Sequence, residues 1–146
     1  MKLSRTVAYA VQATLQLARS ESAEPVPCSR LAAAGQMPER FLLQILRNLV
    51  THGILRSTRG VDGGYSLVRP AEEISLLEVI EAIEGPFDAA PELGEGLPIT
   101  SQEKLRTAID QVTEVTRQQL EAIKLSQLLQ PPTTEERAAA DERAAS

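Results

Sequence analysis

Gly53-Ile54-Leu55-Arg56-Ser57-Thr58-Arg59-Gly60-Val61-Asp62-Gly63-Gly64-Tyr65-Ser66-Leu67-Val68 sets two short runs of strand-forming residues on either side of a glycine-rich turn. Ile54–Thr58 and Gly64–Val68 are the strand candidates, and Asp62-Gly63-Gly64 supplies the positive-φ residues that a tight hairpin needs. Pro70 ends the second strand. Taken alone, the segment is a good hairpin with a surface charge, Arg59, before its turn. Its meaning depends on its neighbours in the chain.

Upstream the hydrophobic period becomes helical. Leu3, Val7, Ala10, Val11, Thr14, Leu15 and Ala18 predict a helix from Leu3 to about Ser20. Glu21–Val26, with Pro25, breaks the pattern and reads as a loop. A short helix is expected over Cys28–Ala34, with Gly35 taking the left-handed cap. Pro38 suits the first turn of a third helix, because its missing N–H would have no partner there anyway. That helix should turn Phe41, Leu42, Ile45, Leu46 and Leu49 inward and stop at Gly53. Two helices across a tight turn, followed by a hairpin, make a winged helix-turn-helix.

Downstream, Ser75-Leu76-Leu77-Glu78 is a capping box that opens a helix to about Glu84, and Gly85-Pro86 ends it. Thr100-Ser101-Gln102-Glu103 reads as a second capping box. The helix it opens is the longest, with Leu105, Ala108, Ile109, Val112, Val115, Leu120 and Ile123 along one stripe. Leu125–Leu129 is a short last turn or helix. The expected fold class is mainly α, a winged helix-turn-helix with a two-stranded wing and a long C-terminal dimerisation helix. Its units are a DNA-binding domain over 1–85, a loop over 86–99, the dimerisation helix and short last helix over 100–130, and a flexible, solvated tail over 131–146.

The net charge of −5 has the wrong sign for a nucleic-acid binder until it is divided. Residues 1–70 hold nine Lys/Arg against four acids, or +5, whereas residues 71–146 hold six against sixteen, or −10. A basic front half and an acidic back half suit a polyanion-binding domain joined to a separate, solvated assembly element. Aromatics are 3% of the chain and Trp is absent, so the core must come from Leu, Ile, Val and Ala, which favours helices. The lone cysteine, Cys28, excludes an internal disulfide and a Cys-only metal cage within one chain. No apolar run is long enough for a bilayer and no signal-peptide core is visible, so a cytoplasmic protein without a membrane partner is expected. Phosphate-loop, zinc-protease, nucleophile-elbow and dinucleotide motifs are all missing, so no enzyme is expected.

In a winged helix the second helix of the pair enters the major groove, while the hairpin reaches across phosphates or into the minor groove. The outward positions of the third helix then need polar, partly basic residues, and Glu39, Arg40, Gln44, Arg47 and Asn48 occupy them. Arg pairs bidentately with guanine O6/N7, and Gln with adenine N6/N7. In the wing, Arg59 stands between Thr58 and Gly60, and a minor groove narrowed by A·T sequence attracts such an arginine. Double-stranded DNA is therefore the expected partner. Two plainer readings stay open: the wet face of an amphipathic helix, and a hairpin whose Asp62 opposes phosphate contact.

Tyr9-Ala10-Val11, Pro25-Val26-Pro27, Pro38-Glu39-Arg40-Phe41-Leu42-Leu43-Gln44-Ile45-Leu46 and above all Gly53–Tyr65 resemble the Rrf-type family of bacterial winged-helix transcriptional regulators. That family takes in an iron–sulfur cluster regulator, a nitric-oxide-sensing repressor and a cysteine-metabolism repressor. The likeness is close over residues 1–85 and one of pattern over 100–130. It implies a homodimer in which the helix at about 101–122 crosses its twin, through Leu105, Ile109, Val112 and Leu120, with the first helix packed against it. It also implies DNA contacts from Arg40, Gln44, Arg59 and Gly60, and phosphate contacts from Ser4, Arg5 and Tyr65. Glu39, Arg47 and Thr58 complete the candidate DNA-binding set. A repressor on a palindromic operator is the expected function.

Many members of that family hold an iron–sulfur cluster through three closely spaced cysteines before the long helix. Here Phe87–Ile99 contains neither cysteine nor histidine, so no cluster and no other cofactor or metal is expected. Cys28, in the first turn of its helix and near Arg30, is either a redox thiol or a small half-buried apolar residue. His52 suits the end of the third helix, and Glu78, Glu81 and Glu84 a solvated face. No residue identifies a small-molecule or protein effector. The alternative function, from a different class, is a dimeric winged-helix module that binds protein and does not read DNA.

Overall fold

Ser4 starts the first helix. Its side-chain oxygen accepts the Val7 N–H at 3.2 Å and so caps α1, Arg5–Arg19. The computed structural model describes residues 2–20, 24–87, 94–129 and 134–145. Helix α1 buries Val7, Ala10, Ala13, Thr14 and Leu17, and its alanines let neighbouring helices approach closely. Thr14 is polar at full burial, but its hydroxyl reaches the Ala10 and Val11 carbonyls at 3.0 and 2.8 Å.

Helices α2 (Cys28–Gly35) and α3 (Glu39–Thr51) form the helix-turn-helix. The left-handed cap falls on Gln36 (φ 54°, ψ 45°), not on Gly35 as expected. Gly35 stays helical and is small for a tertiary reason. Its carbonyl accepts from Gln12 Nε2 at 3.0 Å, and a Cβ there would press within 2.7 Å of the side-chain ends of Gln12, Gln16 and Met37. Pro38 sits one place earlier than expected, as the residue preceding the helix. Leu42, Ile45, Leu46 and Leu49 fill the main core against α1, so truncating Leu42 or Leu46 to Ala should cost about 2–5 kcal/mol. Phe41 is a correction. It is 49% exposed and lies beside the flank of α1, where Tyr9 is edge-on to it at 6.2 Å.

Strands β1 (Leu55–Thr58) and β2 (Gly64–Leu67) pair antiparallel, with Leu55 opposite Leu67 and Thr58 opposite Gly64. Residues 59–63 are thus the loop, wider than a tight turn, and positive φ falls on Gly60 and Gly64 instead of Gly63. The loop read over Glu21–Val26 is described from Glu24 onward, and Val26 does more than connect. Val26 and Tyr65 exchange both backbone hydrogen bonds at 2.9 Å, adding a short third rung that ties the wing to the body.

After a 3-10 turn at Ala71–Glu73 comes α4 (Leu76–Glu84), opened by the expected capping box. Glu78 accepts the Ser75 N–H at 2.8 Å, and Ser75 Oγ accepts the Glu78 N–H at 3.1 Å. Long helix α5 (Ile99–Ala122) does not use the expected box at Thr100-Ser101-Gln102-Glu103. Pro98 precedes its first residue, and Gln102 instead reaches back to the Leu97 carbonyl at 2.8 Å. Proline presets the backbone for helix entry, so the helix begins before the polar run.

The far end of α5 is clamped to α4. Leu76 N–H donates to the Ile123 carbonyl at 2.8 Å, and the Leu125 N–H, at the start of α6 (Leu125–Leu129), donates to Ile74 at 2.9 Å. Leu120 closes a second small core with Val7, Leu77 and Ile80. Residues 134–145, within the flexible, solvated tail expected over 131–146, form the exposed helix α7 (Thr134–Ala145). Alanine, glutamate and arginine have high helix propensity and need no packed face to favour that state. Residues 88–93 of the expected loop, and 130–133 and 146 beyond the short helix, lie outside the described residues. Among the described residues no helix is long and apolar enough to cross a membrane.

Candidate nucleic-acid interface

Helix α3 has one face for the core and one for solvent. At about 100° per residue, Arg40, Gln44, Arg47 and Thr51 share an arc of about 60° opposite Leu42, Ile45, Leu46 and Leu49. All four are exposed. Gln44 Nε2 donates to Asn48 Oδ1 at 3.4 Å, a weak bond that groups the two amides beside the arginines. Glu39 stands apart from this group, on the flank that meets α2. Its carbonyl accepts the Cys28 thiol, with sulfur and oxygen 3.7 Å apart.

The wing begins three residues after α3, and buried Ile54 and Leu55 root it in the core. Thr58, Arg59 and Gly60 are exposed at its outer end. Arg56, which sequence reading passed over, is exposed beside buried Leu55, as strand alternation requires. Four guanidinium groups are thus exposed, Arg40 and Arg47 on α3, Arg59 at the outer end of the wing, and Arg56 over the cleft between the wing and the end of α1. Among the described residues the ion pairs are Arg69–Glu78 and Arg117–Glu81, and neither uses any of those four. Charge without an internal partner is held ready for an external anion.

Other expected contacts are distributed differently. Arg5 is exposed in the first turn of α1. Ser4 is engaged as the cap, although its hydroxyl hydrogen remains available to an acceptor. Tyr65 is half-buried, with its ring against the main core and its backbone on Val26, so the fold alone accounts for it. Of the dimerisation candidates, Leu105 and Val112 are uncovered, Val112 by 67%. Ile109 is half-buried and lies on the same stripe. Leu120 is 6% exposed within its own chain and is not free for a partner.

The single residues also sort out. Burial pushes the Cys28 thiol above its ordinary value, and the Glu39 carboxylate adds to the rise. Of the two readings of Cys28, that direction favours the small half-buried residue over the redox thiol. His52 Nδ1 lies 2.8 Å from the Asn48 carbonyl at the end of α3, as its position suggested. Glu78 and Glu81 are not simply a solvated face, since one caps α4 and holds Arg69 while the other pairs with Arg117 at 3.2 Å. Partial burial pushes the Glu78 carboxyl up. The Ser75 N–H and the Arg69 guanidinium outweigh it and hold the carboxyl below its ordinary value.

Known proteins share this fold. The chain is 44% identical over 96 residues to a proposed HTH-type transcriptional regulator of Mycobacterium tuberculosis, Rv1287, covering 66% of this chain and 60% of the relative. It is 34% identical over 96 residues to the HTH-type transcriptional regulator IscR of Escherichia coli, covering 66% and 59%. The chain thus spans about 60% of the length of these curated relatives. Among solved structures, CymR, the global cysteine regulator of B. subtilis, superposes with a TM-score of 0.68 at 26% identity, over 88% of this chain and 96% of that one. IscR of T. potens does so with a TM-score of 0.67 at 26% identity, over 88% and 86%. The profile of the Rrf2 family, described as iron-dependent transcriptional regulators, matches residues 3–131. With a match across nearly the whole chain and a shared winged-helix fold, the chain belongs to the Rrf2 family of transcriptional regulators.

Proposed function

We propose that the protein is a sequence-specific DNA-binding repressor that acts in the cytoplasm as a homodimer on a palindromic operator. The observation that carries this reading is the set of exposed arginines on α3 and the wing that pair with no acid among the described residues. Arg40, Gln44 and Arg47 suit base edges in a major groove, and Arg59 suits the adjoining minor groove. Arg5 and the Ser4 hydroxyl suit phosphates. The uncovered stripe Leu105, Ile109, Val112 and Val115 on α5 supports the dimer, since apolar area of this kind is buried by a matching stripe.

Iron-dependence in the family raises the matter of a cluster. The donors of this chain do not fit one. Its single cysteine and single histidine sit on α2 and at the end of α3, bonded to the carbonyls of Glu39 and Asn48. Cluster iron is held by several thiolates, with histidine an occasional substitute. The protein therefore represses without a cluster of its own.

The test is selection of genomic fragments by the purified full chain at two salt concentrations. Enrichment of one palindrome, weakened at higher salt, is expected. Stable dimers that enrich no sequence would replace this function with that of a protein-binding module.

A further inference from the structure

The wing ends in a side chain that the fold does not use. Val61 is fully exposed, at 104% of its reference area, and touches no part of the core. Single exposed apolar residues are common, but this one is carried on an ordered tip. Gly63 N–H closes the loop on the Gly60 carbonyl at 3.0 Å, and a Cβ at Gly63 would lie 2.3 Å from the Thr58 carbonyl oxygen. The root of the wing is fixed by the paired bonds between Val26 and Tyr65. A β-branched side chain on such a loop has little conformational freedom left to lose on binding.

Charge does not explain the tip. Arg59 and Asp62 cancel over residues 59–63, so phosphate attraction gives that loop no net pull. Arg59 can still meet the DNA backbone, but base selection at the tip falls to shape and apolar surface. We propose that Val61 is the sequence-reading residue of the wing, seated on the floor of the minor groove and selecting A·T over G·C. This rests on the DNA-binding reading above. The minor-groove edge of G·C carries the guanine N2 amino donor, which projects into the groove. Two methyl groups would block its water and offer no acceptor in return. Adenine presents a recessed C–H at the same place, which the methyls can cover.

The experiment is equilibrium binding of the full chain to a duplex carrying the palindrome recovered by genomic selection. Dimethyl sulfate, which methylates adenine N3 in the minor groove, locates the steps that the wing protects. Those steps are then replaced by G·C, or by inosine·C, which lacks the N2 amino group. The wild-type protein should bind the G·C duplex about tenfold more weakly and recover on the inosine duplex. Val61→Ser should bind all three within about twofold, with the salt dependence of wild type, because no charge is lost. Arg59→Ala should weaken all three and lower the salt slope by about one. No adenine N3 protected under the wing, a wild type indifferent to the replacement, or a Val61→Ser protein that still discriminates tenfold would overturn the role of Val61 while leaving DNA binding intact. Absence of any selected operator would overturn both.

Discussion

Gly64→Ala should loosen the wing from the body. Gly64 has φ +156°, and a Cβ built on it would lie 2.4 Å from the Val26 carbonyl carbon and oxygen and 2.7 Å from the Pro27 nitrogen. These are backbone atoms, so no side chain can swing aside. Val26 must move, and its movement breaks the two 2.9 Å bonds to Tyr65. Each such bond contributes about 0.5–1.5 kcal/mol net, so their loss is about 1–3 kcal/mol. The strained φ of an alanine adds about 1 kcal/mol. The expected destabilisation is about 2–4 kcal/mol, read as a lower urea midpoint at one fixed protein concentration. Operator affinity should fall with it, since the wing loses its fixed position. Gly96→Ala is the control, because nothing lies within 4 Å of its Cβ and its φ is unstrained. It should be neutral or slightly stabilising. A Gly64→Ala protein with the wild-type midpoint would refute the claim that the Val26 rung anchors the wing.

Val112→Glu should dissociate the proposed dimer, because it puts a charge on the uncovered stripe of α5 while touching no core residue; sedimentation velocity should show a monomer with wild-type helix content. Glu78, held below its ordinary value, adds stability that is complete above about pH 4.5, its unperturbed value, and is lost as pH falls through the lowered one. Glu78→Gln keeps an acceptor for the cap, so acid unfolding curves of that variant should fall less steeply than wild type in that window. Cys28, with its thiol pushed up, should alkylate slowly at neutral pH, and its rate should still be rising above pH 9, where an ordinary thiol levels off. Oxidants should change operator binding of Cys28→Ser and wild type alike.

Features written in neighbouring residues were legible in the sequence. The Ser75-x-x-Glu78 box is satisfied by atoms three residues apart, and it caps α4 as expected. The wing strands were legible for the same reason, since strand-forming runs and turn glycines are local. Most of what failed depended on distant partners. Gly35 was assigned to the cap on its backbone freedom, but the crowding of Gln12, Gln16 and Met37 from elsewhere in the chain sets its role. Thr100 looked like a cap, and Pro98, two residues earlier, had already started the helix. Leu120 matched the period of the α5 stripe, yet the clamp between Ile74 and Leu125 turns that end of α5 onto α4. Phe41 matched the α3 core period at its margin and ended on the flank with Tyr9. Within the candidate site, the outward arginines of α3 follow directly from helical period. The pairing of Val26 with Tyr65 had no local signal, because the two residues are far apart in the chain.

If the arginines on α3 and the wing serve DNA, affinity must fall with salt and depend on sequence. The most direct measurement is a salt titration of full-chain affinity for the selected operator and for a scrambled duplex. Neutralisation of about four to eight phosphates by two protomers predicts a log–log slope of roughly −4 to −7 on the operator. Affinity for the scrambled duplex should be lower by about a thousandfold or more. A slope near zero, or equal affinity for both duplexes, would contradict the account.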